Sequence, residues 1–218
     1  VWIPGFILAK NRRAGNVHGD RPVLRDPRAL LPSRLPRLDR AAAVPTLPKH
    51  PAVPDSARAT PPFSERHFRD ALAQFATGVT LICTRDAEGR YIGFTANSFN
   101  SVSLDPPLVV WSLNRRASQL PAFERTACYS INVLTHAQRA LAERFAEPQG
   151  NRFAGVAFRP GPGGAPLLDG CSAWFECRHH SVTPAGDHVL FIGEVLHLGR
   201  THAGDAMLTF HRGRFGST

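Results

Sequence analysis

Thr95, Asn97, Ser98, Asn100, Ser101 and Ser103 fall within nine residues of one stretch, Gly93–Pro107, which reads G-F-T-A-N-S-F-N-S-V-S-L-D-P-P. Short hydroxyl and amide side chains at this density supply hydrogen-bonding groups that need little reach, and the turns they favour expose backbone N–H groups as well. A phosphate, or the polar edge of a planar heterocycle, is bound by that combination. The same residue types populate ordinary turns, so the stretch taken alone also reads as a polar hairpin loop.

A second concentration is Asn114-Arg115-Arg116-Ala117-Ser118, which places an amide, two cations and a hydroxyl directly after the apolar run Leu108–Leu113. Guanidinium forks and a helix N-terminus both favour a phosphate, and a short helical stretch follows around Gln119–Arg125. Two solvated arginines in a polar loop are the plainer alternative. Ten histidines raise the question of a metal, above all Cys177 with His179 and His180. Neighbouring residues on a strand point to opposite faces, so His179 and His180 cannot both join Cys177 at one ion, and no metal is expected. Asp187, His188 and a serine could be drawn as a hydrolytic triad, but the first two are neighbours on a turn and the chain has no G-x-S-x-G elbow. It also has no G-x-G-x-x-G after a strand, which excludes a Rossmann dinucleotide site.

The elements that must hold these groups are mostly strands. Ser64 has the character of an N-cap, and Phe68, Leu72, Phe75 and Ala76 recur at helical spacing, predicting a short helix to about Phe75. Val79–Arg85 and Tyr91–Thr95 read as a hairpin around Asp86–Gly89, directly before the hydroxyl-rich stretch. Leu108–Leu113 reads as a strand buried on both faces. Cys128–Leu134 reads as a further strand, Ala137–Ala146 as a helix, and Gly150–Gly164 as a Gly/Pro loop around a short strand at Val156–Phe158. Cys171–His179 alternates as a half-buried strand. Pro184-Ala185-Gly186-Asp187 then turns the chain into His188–Gly199, where Gly193 predicts a bulge or a close backbone approach. Ala206–Arg212 closes the sheet. Six or seven strands with three short helices and no βαβ alternation predict a mainly β, antiparallel barrel.

Residues 1–62 differ in kind. They hold eleven of the nineteen prolines, two Phe/Trp and no sustained periodicity, so they are expected to be a disordered Pro/Arg-rich segment ahead of one domain at 63–218. The net charge of +9 is concentrated there: residues 1–60 carry eleven Lys/Arg against four Asp, leaving fifteen basic and thirteen acidic groups in the other 158 residues. A solvated tail explains this charge better than a nucleic-acid contact, although a binding module built on the tail is a separate functional class. No apolar run reaches the ~18–20 residues of a membrane span. The four cysteines are too far apart for a C-x-x-C site, which predicts free buried thiols and a cytoplasmic protein.

Gly78–Cys83, Gly93–Pro107, Leu108–Asn114, Asn132–Leu134, Gly186–His188 and the closing F-H-R-G-R-F of Phe210–Phe215 occur in an order and spacing that resembles the flavin reductase-like family. The resemblance covers roughly residues 63–216, and T-x-x-S-F-x-S-V-S-x-D-P-P followed by G-D-H is its most specific part. It implies an FMN-binding split barrel, Greek-key-like, that reduces FMN or FAD with NADH or NADPH and serves a partner monooxygenase. It implies that Thr95, Ala96, Asn97, Ser98, Ser101, Val102 and Ser103 line the ring and ribityl chain, and that Asn114, Arg115, Arg116 and Ser118 hold the phosphate. Ala117 stands where the family often has a hydroxyl. By the same resemblance His188, His211, Arg212, Gly213 and Phe215 belong to the nicotinamide side, with His188 the residue nearest catalysis, and the protein is a homodimer. A flavin-binding oxidase or carrier of the same fold is the other reading the motifs allow.

Overall fold

Ser64 opens the ordered chain: its Oγ accepts from the His67 N–H at 3.1 Å and starts α1, Glu65–Leu72. The computed structural model describes residues 61–147, 150–201 and 205–218, so nearly all of the segment predicted to be disordered lies outside the described residues. α1 stops three residues before Phe75 because the C-terminal segment takes over its end, the Arg212 N–H donating to the Ala73 carbonyl at 3.1 Å. Two short edge residues, β1 (Thr77–Gly78), lead into β2 (Thr80–Arg85) and β3 (Tyr91–Ala96), the predicted hairpin.

The hydroxyl-rich stretch does not remain a loop, as the sequence had predicted. Asn97–Phe99 turns the chain, and Asn100–Leu104 is a strand of its own, β4, paired with β5 (Pro107–Asn114). The alternation Ser101-Val102-Ser103-Leu104 is a strand pattern, and the turn character of its serines and asparagines masked it. α2 (Leu120–Arg125), β6 (Tyr129–Val133), a 3₁₀ turn at His136–Gln138 and α3 (Arg139–Ala146) follow. A small hairpin of β7 (Phe158–Pro160) and β8 (Pro166–Leu168) precedes the two longest strands, β9 (Ala173–Ala185) and β10 (His188–Arg200). β11 (Leu208–His211) and β12 (Arg214–Ser217) end the chain.

Seven strands form one antiparallel sheet in the order β3-β2-β6-β9-β10-β5-β4, and β1-β11-β12 form a second. The larger sheet has a core on each face, which is why β2 is buried at five consecutive positions. On the inner face Trp111 stacks on Phe191, its directly opposed neighbour in the β5–β10 ladder, at 4.1 Å and 6°. Phe123 of α2 meets the Trp111 ring edge-on at 5.2 Å, so the helix after the Arg pair closes this core. On the outer face Ala142 and Phe145 of α3 pack with Leu81, Cys83 and Leu208.

Gly193 behaves as its position in a long strand predicts. The β9–β10 register shifts there, and a Cβ on Gly193 would lie 2.0 Å from the Tyr129 hydroxyl oxygen. The architecture is a mainly β antiparallel barrel with short helices, and it fixes the two ends of β5 and β10 that matter for chemistry.

Candidate functional site

β3 alternates its side chains between two cores, and this decides what its polar groups can do. Thr95 points outward and is buried, its hydroxyl donating to the Ala142 carbonyl of α3 at 2.6 Å. Ala96 is buried too, and its carbonyl accepts from the Thr80 hydroxyl at 2.9 Å. The Ser98 Oγ accepts from the Ser112 N–H at 3.1 Å and donates to the Ser112 carbonyl at 3.3 Å, stapling the turn onto β5. Ser103 accepts from the Asp105 N–H at 3.2 Å, and Val102 and Ser101 are exposed on β4. Of this set, Asn97 and Ser101 keep side-chain hydrogen-bonding capacity for a ligand.

β5 ends on Asn114, which is buried and whose Oδ1 accepts from the Arg116 N–H at 2.8 Å. The Ala117 N–H donates to the Asn114 carbonyl at 3.0 Å, so both bonds curl the chain and leave Arg115 and Arg116 exposed on the bend. The partner strand starts at the same level, since His188 is the cross-strand neighbour of Asn114. A two-residue turn makes this possible: Gly186 has φ +63°, the left-handed value such a hairpin needs at its first position. The Arg115 N–H then donates to the Asp187 carbonyl at 2.9 Å, tying the two strand ends together.

His188 is oriented by its own neighbour. Its Nδ1 lies 2.8 Å from Asp187 Oδ1, and its side chain is 15% exposed. The His188 hydrogen bond is the main reason the Asp187 carboxyl is held below the usual carboxylate range, with the charge of Arg116 adding to it. An amide, two guanidinium groups, a carboxylate and an imidazole thus share one rim of the sheet.

The C-terminal hairpin builds a second rim. Arg212 (φ +49°) and Gly213 (φ +75°) are both left-handed, as a tight two-residue turn between His211 and Arg214 requires. Arg212 Nε donates to Gln74 Oε1 at 2.9 Å. Leu72, Phe75, Asn97, Phe210, Arg212 and Gly213 border a cleft of about 530 Å³. Asn97 from the hydroxyl-rich stretch is therefore beside two residues of the nicotinamide set. Phe215 packs edge-on against Phe210 at 5.3 Å, with the Arg139 guanidinium 5.7 Å over its ring, and His211 is exposed. Ser118 faces elsewhere, onto a separate cleft of about 630 Å³. Sequence reasoning missed Phe75 as a wall of the smaller cleft because it read the residue as the last apolar position of α1; at 68% exposure, Phe75 is unusually bare for a core residue.

The donor set fits a planar, anionic cofactor. Arg115 and Arg116 are exposed on the bend after β5, Asn97 and Ser101 offer polar contacts, and Phe75 offers an apolar face. It does not fit nucleophilic or metal chemistry. Burial pushes the Cys128 and Cys171 thiols up to about 12, and no group of three potential metal ligands occurs among the described residues.

A profile described as the flavin reductase like domain matches residues 72–218. The chain belongs to the flavin reductase like family. It is similar to a flavin reductase of Pseudomonas putida, 38% identical over 149 residues that cover 68% of this chain and 87% of that one. It is also similar to the reductase component of a flavin-dependent trigonelline monooxygenase of Acinetobacter baylyi, 41% identical over 69% of this chain and 48% of that one. The chain spans less than two thirds of several of the curated relatives it matches. Among solved structures, the NADH:FAD oxidoreductase SgcE6 of Streptomyces globisporus, in complex with NAD and FAD fragments, superposes with a TM-score of 0.67. It is 34% identical over 73% of this chain and 96% of that chain. The split-barrel flavin reductase fold and the seven-stranded antiparallel sheet agree. No helix among the described residues is long and apolar enough to cross a membrane.

Proposed function

We propose that the chain is an NAD(P)H:flavin oxidoreductase that delivers reduced FMN or FAD to a separate monooxygenase. The observation that carries this reading is the apposition of His188 and Asn114 in the β5–β10 ladder, which sets an oriented imidazole beside a pair of exposed guanidinium groups. The flavin, when bound, supplies the chemistry by accepting a hydride at N5 from C4 of the nicotinamide. The chain supplies alignment. Arg115 and Arg116 hold the flavin phosphate by charge-assisted hydrogen bonds, and Asn97 and Ser101 orient the polar edge of the ring. Asp187 fixes the His188 ring, so that His188, with Arg212 and Gly213 of the second rim, positions the nicotinamide. Hydride transfer asks no proton of His188, which makes it a positioning group and not a general acid.

The assembly proposed is a homodimer. Leu104 is 95% exposed and Val102 50% exposed, both on β4, which is the outermost strand of the sheet. An apolar edge of that kind pairs with another chain, and a second copy presents the same strand to it.

The test is His188→Ala. NADH titrations should show a raised KM and a kcat/KM lower by about tenfold to a hundredfold, with flavin affinity little changed. A lowered melting temperature with unaltered nicotinamide kinetics would reduce His188 to a hairpin cap.

A further inference from the structure

α1 buries none of its residues, so core packing does not explain why the chain holds this helix against the barrel. The hydrogen bonds that fasten its C-terminal end come from Arg212. The Arg212 N–H donates to the Ala73 carbonyl at 3.1 Å, and the guanidinium donates to Gln74 Oε1 from Nε, at 2.9 Å, and from Nη2 as well. Arg212 has φ +49°, a conformation that a residue with a side chain rarely adopts, so contacts of this kind are needed to keep it at the tip of the β11–β12 hairpin.

Gln74 is itself fixed. Its Nε2 donates to the Asp70 carbonyl, one helical turn back, at 3.2 Å, which leaves Oε1 as the atom turned toward Arg212. The nature of that acceptor decides what Arg212 can do. An amide oxygen orients a guanidinium without cancelling its charge, whereas a carboxylate would do both. The carboxylates of α1 face other arginines: Asp70 lies 3.9 Å from the Arg66 guanidinium, and Glu65 pairs with Arg69. Among the described residues Arg212 has no acidic partner.

Gln74 and Arg212 both border the cleft of about 530 Å³ that Phe75, Asn97 and Phe210 also line. We propose that Gln74 is a positioning residue for the reduction: it holds the Arg212 guanidinium on the wall of this cleft as an uncancelled cation, and Arg212 takes a phosphate of the reduced nicotinamide dinucleotide. The proposal rests on the reading of the chain as an NAD(P)H:flavin oxidoreductase. Arg115, Arg116 and Ser101, which that reading assigns to the flavin, are not among the walls of this cleft, so Gln74 acts on the hydride donor and not on the flavin.

Steady-state kinetics of the full chain, at saturating flavin and varied NADH, test it with Gln74→Met, which removes the acceptor, and Gln74→Glu, which keeps an acceptor and adds a charge. Both should raise the KM for NADH by about fivefold to tenfold, with kcat and flavin affinity within about twofold. Gln74→Glu should melt no lower than Gln74→Met, because its carboxylate still holds Arg212, yet bind NADH as poorly. Added salt should raise the KM of the unaltered protein more steeply than that of Gln74→Glu, whose cation is already cancelled. In an Arg212→Met background, Gln74→Met should have no further effect on KM. An unchanged KM in either single variant, or an effect of Gln74→Met that persists without Arg212, would overturn the positioning role and leave the flavin reading standing. Absence of flavin-dependent NADH oxidation in the unaltered protein would overturn both.

Discussion

Ser98 and Ser101 are both serines in the same stretch, yet the structure gives them different work. Ser98 makes two hydrogen bonds to the Ser112 backbone, and Ser101 is exposed on β4. Ser98→Ala should therefore cost stability, about 1–3 kcal/mol for two bonds of roughly 0.5–1.5 each, seen as a lower denaturation midpoint. Ser101→Ala should leave the midpoint alone and weaken flavin binding several-fold, a split that paired denaturant and flavin titrations would read directly. Asp187 gives a pH signature. Its carboxyl is held below the ordinary range chiefly by the His188 hydrogen bond, so ionised Asp187 stabilises the fold above the ordinary carboxylate pKa of about 3.9, and this is lost as pH falls through the lower folded value. The melting-temperature gap between the unaltered protein and Asp187→Asn should be present near neutrality and close in acid; a constant gap would show that the charge is not what matters. The residue types at Asn114–Arg116 and Gly186–His188 could be read from the sequence because turn chemistry is local. That Thr95 is spent on the Ala142 carbonyl could not, because its partner is 47 residues away.

The elements were legible where periodicity was strong and obscure where tertiary pairing overrode it. β2, β3, β5 and β10 fall on runs of apolar or alternating residues, and the bulge at Gly193 follows from a glycine inside such a run. β4 did not, because Asn and Ser signal turns more strongly than five residues can signal a strand. β9 also runs through Pro184 to Ala185, longer than predicted, since its register with β10 continues to the two-residue turn. Two predictions belong here. Gly193→Ala should destabilise by about 1–3 kcal/mol through overpacking against Tyr129, and Tyr129→Phe should recover part of that loss by removing the oxygen the new methyl meets. If the proposed homodimer pairs through β4, Leu104→Lys should shift the protein from dimer to monomer in light scattering, because a charge on an outermost strand disfavours edge pairing. A dimer that survives the substitution would place the interface elsewhere.

At the scale of the barrel, the described residues present two rims, the β5–β10 end with its arginines and oriented imidazole, and the cleft that joins Asn97 to the C-terminal hairpin. Mainly β character was readable from strand runs without βαβ alternation, whereas the docking of the last hairpin onto the end of α1 came only from contacts 138 residues apart. The composition of residues 1–60 leads us to propose that they are dispensable, so that a protein beginning at Thr60 should keep its cooperative unfolding and its flavin affinity. The central claim is catalytic reduction of flavin, and NADH oxidation by the full chain, followed with and without added FMN or FAD, tests it most directly. Turnover should be negligible without flavin, rise with flavin to saturation, and fall by about tenfold to a hundredfold in kcat/KM in His188→Ala. NADH oxidation that does not depend on flavin, or none with either flavin present, would contradict it.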